Sequence, residues 1–423
     1  MNSNLPVTPD ENAPLNRIQI TAWMVAWLAL VIDVLDWQLL AMAAPHITKE
    51  FQFSLASMGT LLGAPLIGAG IGGLVSGWIA DRIGRVKTMV WCMVWYSTMT
   101  VLFPFVTSFE QMLVLRILAG LGLGGQWGVG NTLVAELLPR RIRIVCSAWI
   151  QTGFSFGPIL AALTAKWIIP AYGWRPMFYV GAVGFLLALV TKFMVPEPPI
   201  WLQAREKASK GELKLGNLGM FFQKGIGSRF VLAFLMVGCT LIAYWSSMSW
   251  IPSWLASDKG MNVVKSMNYM VVLNIGGVFG YMLFAFIADR WGRKPPAYVA
   301  LLASTIAVGI FVSIDSPVAL LWFAPVYSFI TYPVFGLYGG YLSEMFPTEI
   351  RASAVNTIYN GARFLAFFGP TLMGFVASKF SMTFAIGSTA FLYAAAIIPL
   401  IFLPETIVKK NITGGLPTVS TDI

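Results

Sequence analysis

The sequence predicts an all-α integral membrane protein of twelve transmembrane helices in two pseudo-symmetric six-helix bundles. Three observations carry that reading. Of 423 residues, 57% are hydrophobic and only 11% charged, too apolar a balance for a soluble globular chain. Twelve apolar segments bounded by charge or by Pro and Gly fall near 18–44, 57–80, 88–107, 109–138, 146–169, 174–195, 230–256, 266–288, 296–314, 318–346, 352–378 and 382–404. A spanning helix needs roughly 20 apolar residues, and these segments are of that order. Third, the halves repeat. GWIADRIGRVK (77–87) matches AFIADRWGRKP (285–295) and ELLPRRIR (136–143) matches EMFPTEIR (344–351), with Asp81/Asp289, Arg85/Arg293, Glu136/Glu344, Pro139/Pro347 and Arg143/Arg351 all 208 apart. One offset in two separate blocks is the mark of a duplicated six-helix unit.

Taken in order, the chain opens with a polar tail, 1–17, that lacks the basic-then-apolar start of a signal peptide and reads as cytoplasmic. The first bundle follows at 18–196, then a polar connection at 197–229, the second bundle at 230–404, and a second cytoplasmic tail at 405–423. Basic residues cluster in the connections on one side: Arg82, Arg85, Lys87, Arg140, Arg141, Arg143 and the 205–229 stretch, then Arg290, Arg293 and Lys294. The positive-inside rule places both termini and the long connection in the cytoplasm of a bacterial inner membrane. The same rule accounts for the net charge of +10, so no nucleic-acid partner is implied. The three cysteines (Cys92, Cys146, Cys239) show no disulfide or metal-binding spacing.

Four charges remain inside apolar segments: Asp33, Asp36, Arg116 and Arg363. A charge facing lipid is costly, so such residues normally face a bundle interior or a wet cavity. Asp33 and Asp36 lie three apart, on one face of the first helix. Asp36 is roughly 13 Å below the segment's outer end at Pro45, and Arg116 roughly 12 Å below Ser108, so the depths match for a contact. Proximity to Arg116 favours the charged carboxylate and burial the neutral one, so moving the arginine would switch proton affinity. A permanent structural bridge is the alternative. Arg363 has no acid in its own half and sits near the midplane, where its fork suits a carboxylate. The partner is an anionic substrate or, across the cavity, Asp33 or Asp36.

The paired D-R-x-G-R blocks resemble the hallmark of the major facilitator superfamily, and the resemblance covers essentially all the helices. It implies a cytoplasmic gate formed by Gly77, Asp81, Arg82, Gly84 and Arg85, with Asp289, Arg290, Gly292 and Arg293 in the second copy. An Asp at a helix end can accept backbone N–H groups, and Gly77 would let another helix approach closely. D-x-x-D in the first helix, with Arg in the fourth and eleventh, resembles the aromatic acid:proton symporters and sialic acid transporters. Val34 stands where those families have Gly, and Gln126 in GGQWG (124–128) where the metabolite branch has Glu. That leaves the Asp pair, tuned by Arg116, to couple protons. The expected substrate contacts are Arg363, Gln126, Tyr359, Asn360 and Tyr338.

The resulting expectation is a single-chain importer of a small organic carboxylate (an aromatic acid, a ring-cleavage dicarboxylate or a sugar acid) by proton symport, without cofactor or metal. The rival is proton-coupled drug efflux, suggested by Gly153-x-x-x-Gly157-Pro158 in the fifth segment. Two dinucleotide-loop patterns, Gly68-x-Gly70-x-x-Gly73 and Gly120-x-Gly122-x-x-Gly125, follow no strand and read as close helix packing. A receptor is disfavoured by the lack of a folded sensory domain, and an enzyme by the lack of a nucleophile–base or metal constellation.

Overall fold

A computed structural model describes residues 14–209, 226–346 and 351–406; the tails, the middle of the linker and residues 347–350, with Pro347 among them, lie outside. The described residues are almost wholly helical. The first half holds α1 (Arg17–Phe51), α2 (Leu55–Ile83), α3 (Arg85–Leu102), α4 (Phe109–Leu137), α5 (Arg140–Gln151), α6 (Gly153–Tyr172) and α7 (Val183–Met194). A short α8 (Pro199–Ser209) follows. The second half holds α9 (Ile226–Ser257), α10 (Val263–Trp291), α11 (Lys294–Ser313), α12 (Pro317–Thr331), α13 (Pro333–Met345), α14 (Arg351–Lys379) and α15 (Met382–Phe402).

Eleven helical stretches among the described residues are long and apolar enough to cross a membrane. Pairing α5 with α6 and α12 with α13 accounts for two of them. The twelfth span, α14, has the length at 29 residues but is more polar, carrying Asn356, Tyr359, Asn360 and Arg363. The architecture is therefore the twelve-helix, two-bundle one.

The differences from the sequence expectation are local. α1 does not end at Pro45: it runs through that proline to Phe51 and stops at Gln52 in the left-handed conformation, φ 52°. Asp36 is thus roughly 22 Å from the true helix end, because helices outrun the bilayer. The segment at 146–169 is two helices, broken where the Thr152 amide bonds the Trp149 carbonyl three residues back. The segment at 318–346 breaks at Tyr332, since Pro333 has no N–H to continue the ladder. The polar connection begins with α8, tied down by the Trp201 indole donating to the Asp81 carbonyl at 3.0 Å.

Small residues set the packing. A Cβ at Gly68 or Gly72 would strike the Ile117 or Leu121 carbonyl of α4, and one at Gly120 or Gly124 the Pro65 or Ala69 carbonyl of α2. Both rejected dinucleotide patterns are thus helix contacts: Gly68, Gly120 and Gly122 meet backbone, and Gly70, Gly73 and Gly125 meet the side chains of Phe364, Asn360 and Ser76. α2 continues this seam across the two halves. Gly59 and Gly63 lie on Pro370 and Phe367 of α14, and Gly374 returns the contact on Leu55. The α1–α9 pair adds Trp37 stacked on Trp245, ring centroids 4.1 Å apart. Gly157 abuts α1 at Val31 and Leu35, so the Gly-Pro element packs on α1.

Candidate functional site

α1 carries its two acids into different surroundings. Asp36 points into the first bundle, fully buried, where the Thr100 hydroxyl of α3 donates to Oδ1. Arg116 Nη1 of α4 stands 3.6 Å from Asp36 Oδ2, so the depth-matched contact is made. It is an ion contact without a hydrogen bond, and the guanidinium instead lies over the Phe103 and Phe178 rings, 4.3 and 5.4 Å from their centroids. Arg116 is 0% exposed, so aromatic faces rather than water accompany its charge.

Asp33, one turn earlier, has a different cation. Arg363 of α14, from the other half, lies within electrostatic reach of it, and no salt bridge joins the two among the described residues. Asp33 Oδ1 has no hydrogen-bond partner among the described residues. The Arg363 guanidinium, 3% exposed, donates through Nη1 to Asn360 Oδ1 at 3.0 Å, and its Nε is unpaired. Beneath it two rings form a floor. Trp127 and Tyr359 stack at 4.7 Å and 12° between planes, and the Arg363 carbon lies 5.8 and 5.2 Å from their centroids. The floor joins α4 to α14, hence one half to the other.

Around this centre buried polar groups are left open. Among the described residues both amide atoms of Gln126 are buried without a partner, as are the hydroxyls of Tyr96, Tyr244 and Tyr281. An unpaired buried polar group costs free energy unless a ligand or water satisfies it. Tyr338 differs: its hydroxyl already bonds Thr240 at 2.7 Å inside the second bundle. Of the expected substrate contacts, Arg363, Asn360 and Tyr359 are therefore brought together, with Gln126 next to the Trp127 floor in sequence. Tyr338 is committed elsewhere. Sequence reasoning missed Trp127, although it stood in the quoted GGQWG stretch, and Thr100, which carries no sequence signal of its own.

At the end of the bundle where α1 begins, Arg85 holds Asp81 at 2.6 Å and Glu136 at 3.1 Å. Gly84, at φ +119°, makes the turn, and Arg82 lies over Trp78 at 3.8 Å. The backbone N–H groups that Asp81 was expected to accept go to Glu197 instead, from Arg85, Val86 and Lys87 at 2.7, 3.2 and 3.0 Å. Asp81 is occupied by the Arg85 side chain, which leaves the first turn of α3 to the acid arriving from α7. The second copy repeats this. Arg293 meets Glu344 at 3.0 Å, and Glu405 accepts from Arg293 and Lys294 N–H at 2.9 Å beside Gly292, φ +99°. Arg290 lies over Phe286 at 4.2 Å; the Asp289 side chain falls outside the described residues. Glu197 and Glu405 keep the same 208 offset, in Pro-Glu pairs that the sequence reading passed over. Among the described residues nothing stands within 4 Å of a Cβ at Gly77 or Gly128, and none of them makes the close approach expected at Gly77.

Comparison with known proteins agrees with this layout. A family model described as Major Facilitator Superfamily matches residues 26–340. The chain belongs to that superfamily. It is a multi-pass membrane transporter, not an enzyme. It is 34% identical to the cis,cis-muconate transport protein of Acinetobacter baylyi, over 91% of this chain and 94% of that one. To the sialic acid transporter of Escherichia coli it is 28% identical, over 94% and 98% of the two chains. Among solved structures it superposes on the xylose transporter XylE from E. coli in a partially occluded inward open conformation, with a TM-score of 0.74. That match has 21% identity and covers 94% of this chain and 100% of that one, and it bears on the fold.

Proposed function

We propose that this transporter imports a small organic carboxylate with a proton, by alternating access of the two halves about Arg363. One observation carries the reading: a buried guanidinium, set over two stacked rings, with no carboxylate in salt-bridge contact among the described residues. A buried cation needs a partner, and transport needs one that can leave. The ring floor suits a flat conjugated acid, and the muconate and sialic acid relatives are named for carboxylate substrates.

Charge balance supplies the coupling. Arg363 and Asp33 lie within electrostatic reach of each other and carry opposite charges, so the empty site is close to neutral. A substrate carboxylate entering beside Arg363 adds a second anion at low dielectric, which is unfavourable unless Asp33 takes up a proton at the same time. Proton and anion then enter together, and both leave when the site opens to the other side. Asp36, held by Thr100 and Arg116 inside the first bundle, sets the background charge against which Asp33 titrates. Packing of α2 on α14 near Leu55 and Pro370, with no described residue against Gly77 or Gly128, supports access from the end bearing the termini, which we assign to the cytoplasm.

Uptake by reconstituted vesicles across a panel of carboxylates and their amides tests this. We expect acids to be taken up, faster when the outside is acid, and amides to be ignored. Preference for the amide, or export driven by inward proton flow, would bring the efflux reading forward.

A further inference from the structure

One wide cavity lies outside the transport site. At the end where α1 and α3 begin and α7 stops, these helices and α8 enclose a groove of about 1280 Å³, and every lining residue belongs to the first half or α8. Its wall is apolar and open to the surroundings: Trp91 and Phe193 are each 68% exposed and Met194 56%. Its rim is cationic, with Arg17 from α1, Lys87 from α3 and Lys192 from α7. Among the described residues no carboxylate forms a salt bridge with any of the three. The one acid in the lining, Glu197, spends both oxygens on the first N–H groups of α3. Lys87 and Trp91 are one helical turn apart, so cation and ring are separated by roughly 6 Å along α3.

A charged rim one turn from an apolar trough has the layout of a lipid, polar at the head and apolar below. Resting on the membrane orientation given above, we propose that the groove binds an anionic phospholipid of the adjoining leaflet. Arg17, Lys87 and Lys192 hold the phosphate, and an acyl chain lies along Trp91 and Phe193. Basic pockets between transmembrane helices on this side take acidic headgroups by simple charge complementarity. A soluble anion has no use for the trough. The chain's own C-terminal tail, 405–423, has no net side-chain charge to match the rim, since Lys409 and Lys410 offset Glu405 and Asp422.

The test uses the full-length protein in detergent micelles doped with phosphatidylglycerol or phosphatidylcholine bearing brominated acyl chains, which quench nearby tryptophan. We expect phosphatidylglycerol to quench at lower mole fraction than phosphatidylcholine, with the excess lost in Trp91→Phe. A cation near an anionic lipid is worth about fivefold in affinity, so Arg17→Gln/Lys87→Gln/Lys192→Gln should weaken retention about 100-fold. Arg229→Gln/Lys265→Gln/Lys379→Gln, three cations elsewhere, should leave it unchanged. Equal quenching by the two lipids, displacement of the lipid by inorganic phosphate, or equal loss in both triple variants would overturn the assignment. The wild-type lipid comparison stands even if a variant does not fold. Because the readout is lipid retention, its failure is separable from failure of the carboxylate reading, which uptake measures.

Discussion

Replacing Arg363 with lysine keeps the positive charge and removes the fork. Among the described residues Arg363 gives one hydrogen bond, Nη1 to Asn360 at 3.0 Å, which leaves guanidinium N–H groups for a bound acid. A bidentate carboxylate takes two charge-assisted bonds, each about 1.5–3 kcal/mol, and lysine keeps one of them. The contact with the Tyr359 ring at 5.2 Å adds about 0.5–1 kcal/mol that a flexible ammonium holds poorly. Some of this is recovered by the lysine's own solvation and mobility. The net loss is about 2–3 kcal/mol, or about 30- to 150-fold in affinity. Equilibrium binding of labelled cis,cis-muconate and 4-hydroxybenzoate to purified protein measures it directly, free of proton coupling. If the better-bound acid has a dissociation constant in Arg363→Lys within threefold of wild type, Arg363 does not clamp the substrate. The anion reading then loses its central support.

Other expectations follow from the same geometry. Asp33→Asn should bind acid and catalyse exchange between equal pools but lose acceleration by an acid exterior, since no group is left to take the proton; a retained response to the pH gradient moves the carrier elsewhere. Asp36→Asn should abolish accumulation while leaving some binding, because Arg116 loses its counter-charge inside the first bundle; uphill uptake at the wild-type level would show the pair to be structural. Trp127→Ala removes the ring under Arg363, worth about 1 kcal/mol, so binding of an aromatic acid should weaken about fivefold, and Trp127→Phe should restore most of it. Glu197→Gln leaves the α3 N–H groups with a neutral acceptor. A loss of about 1 kcal/mol is expected, read as a lower unfolding midpoint and matched by Glu405→Gln in the second half.

The sequence by itself determined the class, the duplication and the short list of costly charges. A bilayer forbids what water tolerates, so helix number follows from apolar length, and a buried Asp or Arg stands out against 57% hydrophobic composition. Depth counting even brought Asp36 to Arg116, although the helix end used for it was wrong, because both segments were measured from the same side of the membrane. What counting along a helix could not supply was direction across it. Asp33 and Asp36 share a broad face, yet a small difference in angle sends one to Arg363 and the other to Thr100 and Arg116. Likewise Tyr338 and Tyr359 are equivalent aromatics in the sequence. Only the packing of α13 on α9 gives one of them to Thr240, and only that of α14 on α4 lays the other on Trp127. Glu197 and Glu405 stand in Pro-Glu pairs at the bundle ends, and nothing local marks them as caps. Their role appears when α7 and α15 bring them against the starts of α3 and α11, whose unsatisfied N–H groups are orphaned by helix geometry itself.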